Sequence, residues 1–154
     1  MSIARIMPEE PQVVNPYHKK RKHLTNAAVT VAGAGASAAL FAKGHRRAEE
    51  ILLSDMYKIN SMEPLSTIKP KGKIYKFFEA TGEKLFSDNT KLGQMIKRYV
   101  DKKYSIPGYW PAAEKKARIK NYKTVGAMAL AAGLAGLAFL VNGLHQAKKI
   151  NSGK

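Results

Sequence analysis

Few residues in this chain are spaced for chemistry, and each set has a plainer role open to it. Gly33, Gly35 and Ala38 make a G-x-G-x-x-A pattern, the outline of a dinucleotide-binding turn. That turn works only between a buried strand and a helix, with further parallel strands to build the crevice. No stretch of useful length here alternates with a strand period, so the pattern reads as a small-residue helix surface. Four histidines, His18, His23, His45 and His145, lack the i, i+4 spacing that puts two ligands on one helix face. Glu79 and Glu83 lie four apart, but among Lys76 and Lys84 they read as ion pairs on a wet surface rather than as a general acid and base. Without cysteine there is no thiolate nucleophile, no disulfide and none of the common structural zinc sites. No serine has a readable His/Asp partnership, and there is no phosphate-binding loop of the Walker type. The expectation is a protein that is not an enzyme and that takes no cofactor and no metal.

What the residue types do support is location and packing. Residues 24–42 and 124–144 carry no formal charge, are rich in Ala, Gly and Leu, and are fenced by lysines and arginines. At about 1.5 Å per helical residue, each can cross a hydrocarbon core roughly 30 Å thick. They are unequal. The second holds five Leu, two Val and one Phe, worth roughly −2 to −5 kcal/mol on an insertion scale. The first offers Leu24, Val29, Val31, Leu40 and Phe41, about −1.5 to −3 kcal/mol, against the polar Thr25, Asn26, Thr30 and Ser37. Residues 24–42 are therefore a marginal span that needs a partner.

Helices in lipid associate through close backbone approach at small residues. Gly126, Ala129, Gly133 and Gly136 share one side of the second stretch, with Leu130, Leu134, Leu137, Val141 and Leu144 on another. Ala32, Gly33, Ala36 and Ser37 offer a matching flat surface on the first. The expected contact joins these eight residues, with the leucines turned to lipid. The same surfaces can also serve a second copy or a protein partner.

The rest of the chain reads as follows. Residues 1–23 form a basic arm, punctuated by Pro8, Pro11 and Pro16, that ends in the cluster 18–23. Its Glu9 and Glu10 count against an organellar transit peptide, and the polar lead before the apolar run counts against a secretory signal. Residues 43–123 make a basic helical segment. Within it, 48–59 has helical spacing, 60–73 is a linker broken by Pro64 and Pro70, and two short amphipathic helices follow. The first of these groups Ile74, Phe77, Phe78 and Leu85. The second groups Leu92, Met95, Ile96, Tyr99 and Val100, with Asp88, Asn89 or Thr90 available to cap its start. The two helices and 48–59 are expected to cover one another's apolar sides. Residues 105–111 form a turn with the only tryptophan, Trp110, and 145–154 are a basic tail. The fold class expected is all-α, a pair of apolar helices flanking a basic amphipathic segment.

With 27 basic residues against 11 acidic ones, the chain carries a formal charge of +16. That charge attracts polyanions. Lys19, Lys20, Arg21, Lys22, Arg46, Arg47, Lys97, Arg98, Lys115 and Lys116 are the expected contacts. Most of the basic residues are lysines, hydrated point charges suited to anionic headgroups rather than to reading base edges. The leading reading is a small two-span membrane protein that anchors, scaffolds or assists assembly through its basic loop. The alternative is a soluble helical protein that binds nucleic acid without sequence preference or forms part of a larger assembly. Near the span ends, nine basic residues lie in the loop and seven in the tails, a slight lean toward a cytoplasmic loop.

Overall fold

The computed structural model describes residues 16–60, 71–104 and 112–152. These form four helices: α1 (Pro16–Asn60), α2 (Lys73–Leu85), α3 (Lys91–Tyr104) and α4 (Ala112–Asn151). The fold is all-α, as expected. Residues 1–15, most of the linker and the turn with Trp110 lie outside the described residues.

α1 begins at Pro16, where a missing N–H is harmless because the first turn has no intrahelical acceptor for it. The segment 16–23, assigned to the arm from its charge, is therefore helical. The same helix runs on through Lys43, Gly44 and the arginines to Asn60 without a break. At 45 residues it is about 67 Å long, more than twice a hydrocarbon core. α3 starts at a cap that Thr90 supplies: its Oγ1 accepts the Gly93 N–H at 3.0 Å and donates to the Ser87 carbonyl at 2.8 Å.

α4 is the hub. α1, α2 and α3 each pack on it, and α2 and α3 make little contact with each other. α1 and α4 form an antiparallel hairpin. Phe139 covers Gly33, Thr30 covers Gly143 and Met128 covers Gly44, so residue numbers across the seam sum to a near constant. In that register Lys148 lies level with the residues around Leu24, and Lys43 with those around Ala129. The uncharged runs of the two helices overlap over about eighteen residues, roughly 27 Å at 1.5 Å each.

Beyond the hairpin's uncharged band, Ala48 and Ile51 of α1, Tyr75 of α2 and Met128 of α4 form a small core, with Phe41, Phe78 and Val125 against it. Of the expectation that α2, α3 and 48–59 would cover one another, this cluster meets only the part that joins α2 to Ala48 and Ile51, and it holds no residue of α3. Ile74, Phe77 and Leu85 on α2 and Leu92, Met95 and Tyr99 on α3 are exposed. α2 instead buries Tyr75 and Gly82, while α3 buries Val100 of its expected apolar side together with Gly93. On α2 glycine decides which side packs, because the missing side chain of Gly82 lets the α4 backbone come close at Lys123 and Thr124.

Candidate functional site

Two surfaces carry the features that bear on function. The first is the apolar band of the hairpin. α1 between Lys20 and Tyr57, and α4, are each long and apolar enough to cross a membrane. Only 6% of the most apolar window of α1 and 17% of that of α4 are buried in the protein. A core helix of a soluble protein would be mostly covered. Instead Leu24, Val31 and Leu40 on α1 and Leu134, Leu137 and Leu144 on α4 all point outward. Hydroxyls within the band are satisfied locally. Thr30 Oγ1 donates to the Asn26 carbonyl at 2.7 Å and Ser37 Oγ to the Gly33 carbonyl at 3.0 Å, so neither needs water.

The expected small-residue contact is met only in part. On α1, Ser37 is buried and Gly33 is half-buried under the Phe139 ring, whereas Ala32 and Ala36 are exposed. On α4, Ala129 and Gly133 are exposed, and a methyl group at Gly133 or Gly136 would meet nothing within 4 Å. Gly126 faces Phe86 rather than α1, with the ring 3.0 Å from where its Cβ would stand. The seam is thus a set of knobs, Phe139, Met128 and Thr30, each over a glycine of the other helix. Small residues facing small residues are not what brings the helices together. Composition and periodicity do not reveal knobs over glycines, because Phe139 enters the sequence reading only through the insertion sum and is assigned to no side of the helix. A second clue was available: Gly33, Gly44 and Gly143 lie at intervals that a large residue on an antiparallel partner can match.

The second surface is the charged head, where α2 and α3 meet the first turns of α4. Glu79 lies 3.0 Å from both Lys71 Nζ and Lys120 Nζ. Burial alone would push its carboxyl up, but the hydrogen bonds and charges of the two lysines outweigh this and hold it below the ordinary range. Lys123 is nearly buried and reaches Asp88 at 2.9 Å and Glu83 at 3.3 Å. Burial lowers its affinity for a proton, yet the two carboxylates more than reverse this and raise its pKa. Glu79 and Glu83 therefore clamp α2 to α4, instead of pairing with Lys76 and Lys84 on their own helix. Tyr104 and Tyr122 share a hydrogen bond of 3.1 Å, Tyr99 packs edge-on against Tyr122, and the Arg118 guanidinium lies 4.1 Å from the Tyr104 ring centre. Burial, then the bond to Tyr104, pushes the Tyr122 phenol up to about 12.

The predicted cationic contacts are distributed unevenly. Lys20, Arg21 and Lys22 are exposed at the open end of the hairpin, while the Lys19 side chain lies outside the described residues. Arg46 is exposed and Arg47 half-buried where the band ends, and both reach Glu50 on their own helix, at 3.9 and 2.9 Å. Lys97, Lys115 and Lys116 come together around a hollow of about 370 Å³ between α3 and α4, which Lys120 and Lys123 also line. Glu83, Asp88 and Asp101 line it too, and Asp101 lies 3.8 Å from Lys115. Arg98 is exposed on α3, apart from that hollow. Among the described residues no three His, Asp or Glu side chains gather to hold a metal. The G-x-G-x-x-A residues lie within α1, so no strand precedes them. No family model, curated protein or solved structure matches the chain.

Proposed function

We propose that this is a small two-span membrane protein that anchors or scaffolds a partner, or assists assembly, through its basic head, with no catalytic role. The observation that carries the reading is the outward face of the hairpin. Its leucines are uncovered by the protein itself, in a band about 27 Å deep that lacks formal charge. A hydrocarbon core is about 30 Å thick, and lysines at the margins can reach past a few ångströms of mismatch. Cationic side chains stand at both rims: Lys20, Arg21, Lys22, Lys148 and Lys149 at one, Lys43, Arg46 and Arg47 at the other. Anionic headgroups are the partner chemistry these rims suit.

The start of α1 and the end of α4 lie at the same rim in this reading, with the head on the opposite side, and the basic bias leans toward a cytoplasmic head. Alkaline carbonate extraction of membranes from cells making the full chain tests the proposal. Retention in the pellet is expected. Release of the protein into the supernatant would overturn it, and would leave a second copy as the cover for the leucines.

A further inference from the structure

The uncovered side of α2 has a definite direction relative to the apolar band. Tyr75 at the start of α2 packs with Met128, and its phenol lies near the Thr124 side chain. Glu79 reaches Lys120, Gly82 lies on the backbone of Lys123 and Thr124, and Phe86 lies on Gly126. Over this stretch of α2 the partners on α4 do not progress along that helix. A helix running alongside would move by as many residues as it advances. α2 therefore crosses α4 near Thr124, steeply, about five residues or roughly 8 Å beyond the level where Lys43 ends the uncharged band.

The two flanks of α2 differ. At 100° per residue, Glu79 and Glu83 lie on one side of the contact line through Tyr75 and Gly82, and Ile74, Phe78 and Leu85 on the other, with Phe77 further round. The acidic flank meets Lys120, on the side of Thr124 away from the apolar band. The opposite flank must then point toward the band, and Phe78 fits this by packing against the cluster that holds Phe41 and Met128. Ile74, Phe77 and Leu85, all exposed, thus project from a helix about 5 Å in radius toward the edge of the hydrocarbon. Lys73 and Lys84 lie on the outer side of the same helix.

We infer that α2 is an in-plane interface helix: it rests its Ile74–Phe77–Leu85 flank on the lipid surface that the hairpin crosses. This deepens the two-span reading and depends on it. An amphipathic helix of this kind buries its apolar side about 5–10 Å into the boundary between headgroups and acyl chains, with lysines among the headgroups. The occupant is lipid rather than a protein because the flank looks along the hairpin axis toward the band, whose rim on this side carries the cationic Lys43 and Arg46. The Glu79 and Glu83 clamp keeps the acidic flank away from those same headgroups.

The chain has no cysteine, so single-cysteine variants can be spin-labelled cleanly. The full protein is reconstituted into phosphatidylcholine–phosphatidylglycerol vesicles with labels at Ile74→Cys, Leu85→Cys, Lys76→Cys or Leu137→Cys. All four side chains are exposed, so the variants should fold. The measurement is the ratio of collisions with oxygen to collisions with a water-soluble nickel chelate. The expected result is the highest ratio at Leu137, a ratio at Ile74 and Leu85 several-fold above that at Lys76, and free chelate access at Lys76. Equal ratios at the three α2 positions with a high ratio at Leu137 would overturn the interface helix and leave the spans standing. Loss of both kinds of collision at Leu85 would also overturn it, by showing a protein cover. Free chelate access at Leu137 would remove the two-span reading as well.

Discussion

Replacing Gly82 by Ala isolates the contact that docks α2. An added Cβ would lie 2.5 Å from the Lys123 carbonyl oxygen, 2.7 Å from its carbon and 3.0 Å from the Thr124 nitrogen. All three are backbone atoms of a continuous helix, so no rotamer change relieves the clash. Ordinary contact begins near 3.4 Å, and α2 must retreat by about 0.9 Å to reach it. The Glu83–Lys123 pair, already at 3.3 Å, would open beyond hydrogen-bonding range. Overpacking of this kind costs about 1–3 kcal/mol. Alanine also gains roughly 0.8–1 kcal/mol over glycine inside any helix. Gly133→Ala supplies the comparison, because its Cβ meets nothing within 4 Å and it carries the propensity gain alone. In α2 the packing cost, at the upper end of its range for a rigid backbone at 2.5 Å, is offset by the propensity gain, and the net loss is roughly 1–2 kcal/mol. Hydrogen exchange of the α2 amides reads the opening of that helix directly. At 1.4 kcal/mol per tenfold, protection in Gly82→Ala should fall roughly five- to thirtyfold relative to Gly133→Ala. Equal protection in the two variants would refute the close approach of α2 to α4.

Further outcomes follow from the seam and the head. Gly33→Leu should lower the thermal midpoint in detergent, because its side chain needs the space of the Phe139 ring. Phe139→Ala in the same chain should restore most of the loss, and failure to do so would reject the knob-over-glycine seam. Because the Glu79 carboxyl is held below its ordinary value of 4.5, the stability it contributes is complete above that value and is lost as pH falls through the lowered one. Protection of α2 amides should therefore drop on acidification below about pH 4.5, and Glu79→Gln should blunt the drop. An unchanged pH profile in that variant would count against the clamp. In an ultraviolet titration, one of the seven tyrosines should resist ionisation until about pH 12, and Tyr122→Phe should remove that step.

The sequence showed what depends on composition and local spacing, and stopped where a partner's shape decides. The uncharged lengths, the helical class and the cap at Thr90 all follow from neighbours within a few residues. The seam does not. Along residues 124–144 small and large residues alternate around the whole helix, so periodicity offers several plausible faces, and the one containing Gly133 looked best. Which face is used depends on where Phe139 finds room, and that room is Gly33, more than a hundred residues earlier. The clamp was hidden for the same reason. Lys123 is 40 residues from Glu83, while Lys76 and Lys84 are near enough in sequence to be mistaken for the partners of these acids. α2 shows the effect most sharply, since its largest apolar residues suggested a packing side and glycine set the real one.

The hairpin also bears on why so weak a first stretch could insert. Summed residue by residue, 24–42 is penalised for Thr25, exposed near the rim, and for Asn26, Thr30 and Ser37. The last three side chains are not spread around α1. They recur, with Gly33, at spacings of three and four residues, and all are buried or half-buried on the side that meets α4. What α1 turns outward is Leu24, Val29, Val31 and Leu40 among alanines, with one polar side chain, Thr25, whose hydroxyl donates to the Arg21 carbonyl at 2.9 Å. Most of the polar burden thus falls on the helix contact, where two of the three groups have local acceptors, and the outward surface is more apolar than the average over the stretch. An insertion scale treats each residue as though it faced lipid, and so undercounts any span whose polar side is already matched to a partner. On the two-span reading, α1 therefore enters as half of a pair with α4, and a variant that splays the pair should release α1 from the bilayer before it releases α4.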